Sequence, residues 1–361
     1  MCGGAGEKES WIEHERLRGT NTDSREGAHD GVCEPGGIVV SKVGTKSWPG
    51  RVFLRFVTVP AMPIGVFVVL FMIFLSFASP NFFTLSNMIA ITRQTTILGV
   101  VSIGMTLSII AGGMDLSVGA VMALSISIAG TFFSYRWSYL SIFSIALIVG
   151  AACGFLNGLF VNRLRISPII VTLGTMNVYR GIAFVYTRGY WVTGLPSSFL
   201  RIGSGLFPLA LWLLVLGSTL WVTRQTRFGR HVYAVGGNEN SARLAGINVG
   251  KVKTVVYLIS GVLAALGGMI FVGRTGVIQP SAGVGYEMQA IAATVIGGAS
   301  IVGGRGSVLG TFLGSVLLGL LLNGLVLLKV SAYWQGAFTG MIIVVALLLD
   351  SFRIAYRERS R

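Results

Sequence analysis

From Pro35 to Leu349 this chain holds three carboxylates, Asp115, Glu239 and Glu287, although it carries 13 in all, eight of them before Pro35. General acid–base catalysis would need positioned acids close together, and only Asp115 and Glu287 lie near any apolar run. Histidines stand at positions 14, 29 and 231, outside those runs, so an H-E-x-x-H metalloprotease helix is excluded. No G-x-x-x-x-G-K-[ST] segment is present, so the chain has no phosphate loop with which to hydrolyse ATP. Cysteines 2, 33 and 153 give neither a disulfide framework nor a metal-ligand spacing. These residues point away from an enzyme, from a metal site and from a cofactor bound by this chain.

Two glycine clusters break apolar runs with polar residues. The first is AGGMDLSVG, with Gly112, Gly113, Asp115, Ser117 and Gly119; the second is IGGASIVGGRG, with Gly297, Gly298, Gly303 and Gly304. Each contains a Gly pair followed by Val-Gly, which reads as a weak internal repeat of the kind transporters show, or as chance likeness in a chain with 50 glycines. An intramembrane acid such as Asp115 could carry a proton in ion-coupled transport. Its setting offers a cheaper account: placed before an apolar helix beginning near Leu116, it would cap exposed N–H groups at the positive end of the helix dipole. Glu287, opening another apolar run, has the same explanation. Asn157, Thr172, Thr175, Asn177, Gln289 and Asn323 are polar residues in or beside apolar runs. They could line a passage, but such side chains serve at least as often as hydrogen bonders between helices.

These residues must be positioned by membrane helices. Hydrophobic residues make up 53% of the 361 and charged residues 11%, against roughly a quarter charged in soluble chains. With about 20 apolar residues needed per crossing, ten spans are expected: 60–79, 88–111, 116–133, 139–161, 168–186, 207–222, 254–272, 288–302, 308–328 and 333–349. The fifth and eighth are short or interrupted, as broken or re-entrant helices would be. The expectation is an all-α polytopic membrane protein. A net charge of +15 would suggest nucleic acid in a soluble protein. Here Lys and Arg cluster in alternate loops, at 42–55, 163–165, 224–253 and 353–361, so the partner is membrane lipid and not nucleic acid. The positive-inside rule puts both termini in the cytoplasm. Spacings such as Gly261, Gly267 and Gly268, or Gly310, Gly314 and Gly319, allow close helix packing.

The chain divides into a disordered basic and polar tail over residues 1–55, a transmembrane domain over 56–352 with a cytoplasmic loop at 224–253, and a basic tail over 353–361. An over-extended gene start, with initiation near Met62, is the alternative account of the first segment. Within the loop, Asn238 is a good N-cap, Glu239 suits the first turn and Gly246 supplies a stop, giving a helix of about seven residues. Leu244 and Ile247 would share one face, with Arg243 and Asn240 more exposed. So short a helix is marginal alone, and needs its own bundle or a partner protein to hold it. Docking and a plain surface helix account for it equally.

At this point the chain resembles the permease subunits of bacterial carbohydrate ABC importers, the ribose, xylose, arabinose and galactose group. The resemblance is carried by four segments that follow one another along the chain, AGGMDLSVG, VNRLRISPIIVTLGTMNVYRG, FGRHVYAVGGNENSARLAGINV and VIGGASIVGGRGSVLGTFLGSVLLGLL. It covers about residues 76–350. Branched-chain amino-acid permeases look like more distant relatives, with a different acidic pattern in the first motif. The resemblance implies an inner-membrane permease paired with a second copy or a related permease. Cytoplasmic ATP-binding subunits, which hold the ATP and Mg, would grip Gly236, Gly237, Asn238, Glu239, Ala242, Arg243, Ala245 and Gly246. A periplasmic sugar-binding protein would dock on the opposite face. An ion-driven carrier using Asp115 and a structural or signalling membrane protein are the alternatives.

Overall fold

The structure, a computed structural model, describes residues 61–132, 138–164 and 166–331, with residues 334, 336–338, 340–341, 344–345 and 348 beyond. The two tails expected at 1–55 and 353–361 lie outside the described residues, as does much of the tenth span. Among the described residues up to 331, twelve α-helices follow one another: α1 Ala61–Ala78, α2 Leu85–Ile110, α3 Val118–Thr131, α4 Tyr139–Leu164, α5 Pro168–Thr187, α6 Ser197–Leu200, α7 Phe207–Gln225, α8 Arg227–Gly237, α9 Glu239–Leu244, α10 Val249–Thr275, α11 Tyr286–Ile296 and α12 Val308–Leu327. No strand occurs among the described residues. A single antiparallel bridge joins Val192 to Ile278, each N–H donating to the other's carbonyl at 2.9 and 3.0 Å.

Six of these helices, α2, α4, α5, α7, α10 and α12, are long and apolar enough to cross a bilayer, and two shorter apolar ones lie at 63–78 and 118–131. The weak fifth span becomes a full 20-residue helix opened by Pro168, whose missing N–H costs nothing at a first turn. The eighth does not run to Val302. It ends at Ile296, because Gly297 and Gly298 follow and Gly298 takes a left-handed φ of 87° that stops the helix. At 11 residues, α11 is about 16 Å long, half a bilayer core.

Close backbone approach holds the bundle. The central helix α10 packs on α2, α3 and α4. Along α4, Gly150, Gly154 and Gly158 meet the α10 backbone at Gly261, Tyr257 and Thr254, so that a Cβ at any of them would overlap main-chain atoms. Gly310 and Gly314 of α12 bring it against the α11 end at Gly297 and Ala293 in the same way. With lipid as solvent, such contacts supply the packing that hydrophobic burial cannot. Gly154→Leu is therefore expected to force α4 off α10 and cost about 1–3 kcal/mol or more. The check is a lower unfolding midpoint and a smaller monodisperse yield in detergent.

Among the non-helical segments between the helices are 111–117, 276–285 and 297–307. Irregular backbone at membrane depth is tolerated only where protein or a water-filled cavity satisfies it. Here Gly113 N–H donates to Ser108, Ala299 N–H to Thr294 and Ser300 N–H to Arg305, all at 2.9–3.1 Å.

Candidate functional site

Residues 224–253 fold almost wholly as helix. Helix α9 is the one that the caps in the sequence lead one to expect; α8 precedes it within the loop, its signal being Phe228, Val232 and Val235 at helical spacing between Arg227, Arg230 and His231. The Thr226 hydroxyl caps α8 by accepting from Gly229 N–H at 3.1 Å. Asn238 caps α9, its Oδ1 accepting from Ser241 N–H at 2.9 Å, and Gly246 closes it with a left-handed φ of 80°. The six-residue α9 is held by its own bundle. Ala242 is buried with Val232, Val235, Val249, Val252 and Ile110. Glu239 pairs with Arg243 at 3.2 Å and with Lys253 of α10 at 2.6 Å. Leu244 is 90% exposed, whereas Ile247 packs into that cluster; the two do not share a face, because the chain turns at Gly246 between them. Arg243, Ala245 and Gly246 are exposed beside Leu244. A cleft of about 470 Å³ next to α9 is lined by Asn162, Ser167, Pro168, Glu239, Arg243 and Lys253, among others.

Both glycine clusters reach the end of α8. Gly236 rests on the Ile110 carbonyl at the end of α2 and on Gly112, Gly303 lies against Gly112 and Gly236, and Gly304 lies against Gly237. Gly304 N–H donates to Ile110 O at 2.9 Å, and the Tyr233 hydroxyl donates to Gly306 O at 3.0 Å. Distance in sequence concealed this meeting, since glycine carries no hydropathy to mark which way it faces.

Asp115 lies fully buried between α2 and α3. The helix begins at Val118, not near Leu116, and Ser117 occupies the cap position. Asp115 Oδ1 accepts from Ser117 N–H at 3.1 Å and from Ser117 Oγ at 2.6 Å, while Oδ2 accepts from Ser260 Oγ of α10 at 2.8 Å. Asn157 Nδ2 of α4 donates to Ser117 Oγ at 2.7 Å, and Tyr179 of α5 donates to Asn157 Oδ1 at 3.2 Å. The carboxylate thus does local turn work and also ties four helices together. Beside it Gly113 leaves room for the Tyr257 hydroxyl and Pro168.

The other polar candidates divide by exposure. Thr172 is buried and donates to Met114 O at 3.2 Å, and Thr175 is buried and donates to Thr172 O at 3.3 Å. Asn323 exchanges amide hydrogen bonds with Asn87 of α2 at 2.7 and 3.2 Å, joining α12 to α2. Asn177 is exposed and bonds its own helix at Leu173 O, and Gln289 is half-buried on α11.

Arg180 falls outside the loop-by-loop pattern of basic residues, because it lies within an apolar run. An arginine inside an apolar run was the available signal. From α5 its Nη1 donates to Ala282 O at 2.5 Å and to Pro280 O at 3.1 Å, pinning segment 276–285. That segment also meets α3, where Gly119 accommodates the Gly283 carbonyl and Glu287 Oε2. Glu287 Oε1 accepts from Gly285 N–H at 3.1 Å, at the start of α11. Arg180→Met should release the segment: amide exchange over 280–286 should rise at least tenfold while α2 and α10 stay protected.

The family model described as "Branched-chain amino acid transport system / permease component" matches residues 87–347. The ribose import permease protein RbsC of Escherichia coli is 42% identical over 76% of this chain and 88% of its own length. That of Bacillus subtilis is 43% identical over 80% and 91%. The fructose import permease protein FrcC of Rhizobium meliloti is 35% identical over 81% and 85%.

Proposed function

Because this chain belongs to the family of branched-chain amino acid transport system permease components, we propose that it is the membrane permease subunit of an ATP-binding-cassette importer that passes a sugar or sugar-like solute inward. Ribose and fructose import permeases, similar over most of both chains, support the substrate class.

The observation that carries the reading is α9. A helix too short to stand alone is capped, ion-paired to α10 and anchored through Ala242, yet presents a bare Leu244. Such a rigid projection suits a partner that pushes on the bundle. In this reading residues 1–55 and 353–361 are cytoplasmic tails, residues 56–352 form a permease domain of about ten spans, and the 224–253 side faces the cytoplasm. Cytoplasmic ATP-binding subunits, carrying ATP and Mg, grip this loop around α9 through the exposed residues Arg243 to Gly246. A periplasmic sugar-binding protein delivers solute from the other face, and a second permease copy or a related permease completes the passage. Capture of solute belongs to the binding protein, so a passage with few polar groups suffices. Asn177 and Gln289, which are not fully buried, are the passage-lining candidates most able to meet a solute.

The test is reconstitution in vesicles with ATP-binding and periplasmic subunits. Uptake should require all three proteins and ATP, and uptake that continues without the ATPase rejects the reading.

A further inference from the structure

The geometry points to a division of labour within Gly236 to Gly246: Glu239 to Gly246 form the face offered to the ATPase, whereas Gly236 is a positioning residue in a three-way joint that carries the movement of α8 into the broken segments of the bundle. This rests on the coupling role proposed above for the loop.

Three observations support it. First, Gly236 does not face outward: a Cβ there would collide with the Ile110 carbonyl oxygen and crowd Gly304 N. Second, the contact is three-way and mostly main chain. Gly112 follows α2, Gly236 lies in the last turn of α8, and Gly303 and Gly304 lie between α11 and α12, with Gly304 N–H bonded to Ile110 O at 2.9 Å. Third, Tyr233, three residues before Gly236 on α8, reaches the same segment through its hydroxyl bond to Gly306 O at 3.0 Å.

Displacement of α8 must therefore shift the ends of both interrupted regions. One is 111–117, which leads to Asp115 and α3. The other is 297–307, which leads to α12. Close-packed main chains transmit such a shift without the slack that flexible side chains would introduce. The same contact explains why both clusters consist of glycine at the points where they meet.

The experiment uses the complete reconstituted transporter and reads solute taken up per ATP hydrolysed, at matched amounts of folded protein. Gly236→Ala should retain the ATP-binding subunits on co-purification and continue to hydrolyse ATP, while uptake per ATP falls at least tenfold. Tyr233→Phe, which removes one hydrogen bond and only the hydroxyl's volume from the packing, should lower the ratio several-fold. Gly217→Ala on α7, where a Cβ meets open space, should match the wild type. A wild-type ratio in Gly236→Ala overturns the joint. Loss of the ATP-binding subunits from Gly236→Ala overturns it as well, because Gly236 would then belong to the docking face. If Gly236→Ala does not fold, Tyr233→Phe decides: a lowered ratio supports the joint and a wild-type ratio overturns it. Failure of the coupling reading itself would appear in the wild type, as uptake that ignores the ATPase.

Discussion

Asp115→Ala is expected to remove folded protein and uptake together, while Asp115→Asn keeps most of both. Alanine would strip the acceptors from Ser117 N–H, Ser117 Oγ and Ser260 Oγ inside the bundle. Each buried donor left unmade costs about 1–3 kcal/mol, and the sum rivals a total stability of roughly 5–15 kcal/mol. Asparagine keeps one oxygen for Ser117. Its amide N–H₂ faces Ser260, whose hydroxyl can turn and accept. The unfolding midpoint in detergent should drop sharply for alanine and little for asparagine. Uptake by Asp115→Asn in vesicles should stay within a few-fold of wild type and ignore a protonophore. Folded Asp115→Asn protein that has lost uptake would instead make the carboxylate charge the working group, as an ion-driven carrier requires.

The second large effect concerns the exposed end of α9. Leu244→Asp should leave the permease as stable as wild type, because the side chain is 90% exposed. It should weaken ATPase binding by ten- to a hundredfold, since burying a leucine in a partner gives about 1.5–3 kcal/mol and each 1.4 kcal/mol is tenfold in affinity. Glu239→Arg should act in the same direction by setting a third cation beside Arg243 and Lys253. Gly246→Trp should do so by forcing a bulky residue into a left-handed turn. Co-purification of the ATP-binding subunits and uptake should fall together while expression holds. Normal uptake in all three variants would remove α9 from the docking face.

Much of this architecture is written locally. Long apolar runs announce α2, α4, α10 and α12, and Asn238 with Gly246 brackets α9, because capping and hydropathy act within a few residues. Helix α10 starts five residues before the expected Thr254, since Val249, Gly250 and Val252 open it amid lysines. Helix α11 ends six residues before the expected Val302, since the apolar run outlasts the helix that Gly298 stops. What the sequence conceals is partnership. Ser260 lies 145 positions from Asp115, and nothing near either residue names the other. Arg180 reads as an anomaly until the carbonyls of Pro280 and Ala282 appear beside it. A buried Asn157 and an exposed Asn177 look alike on paper, and only the packing of α4 and α5 tells them apart.

The short α11 bears on how the chain is made. A segment of about 16 Å cannot span a lipid core of about 30 Å as it leaves the ribosome, and its flanking backbone would be unsatisfied in lipid. Its neighbours α2, α3 and α12 supply the missing surface, and α12 is synthesised after it. Insertion of α11 must therefore wait for α12, entering with it as a hairpin against helices already in place. A nascent chain arrested before Val308 should leave residues 286–296 accessible to labelling from the aqueous side, and completion of α12 should bury them.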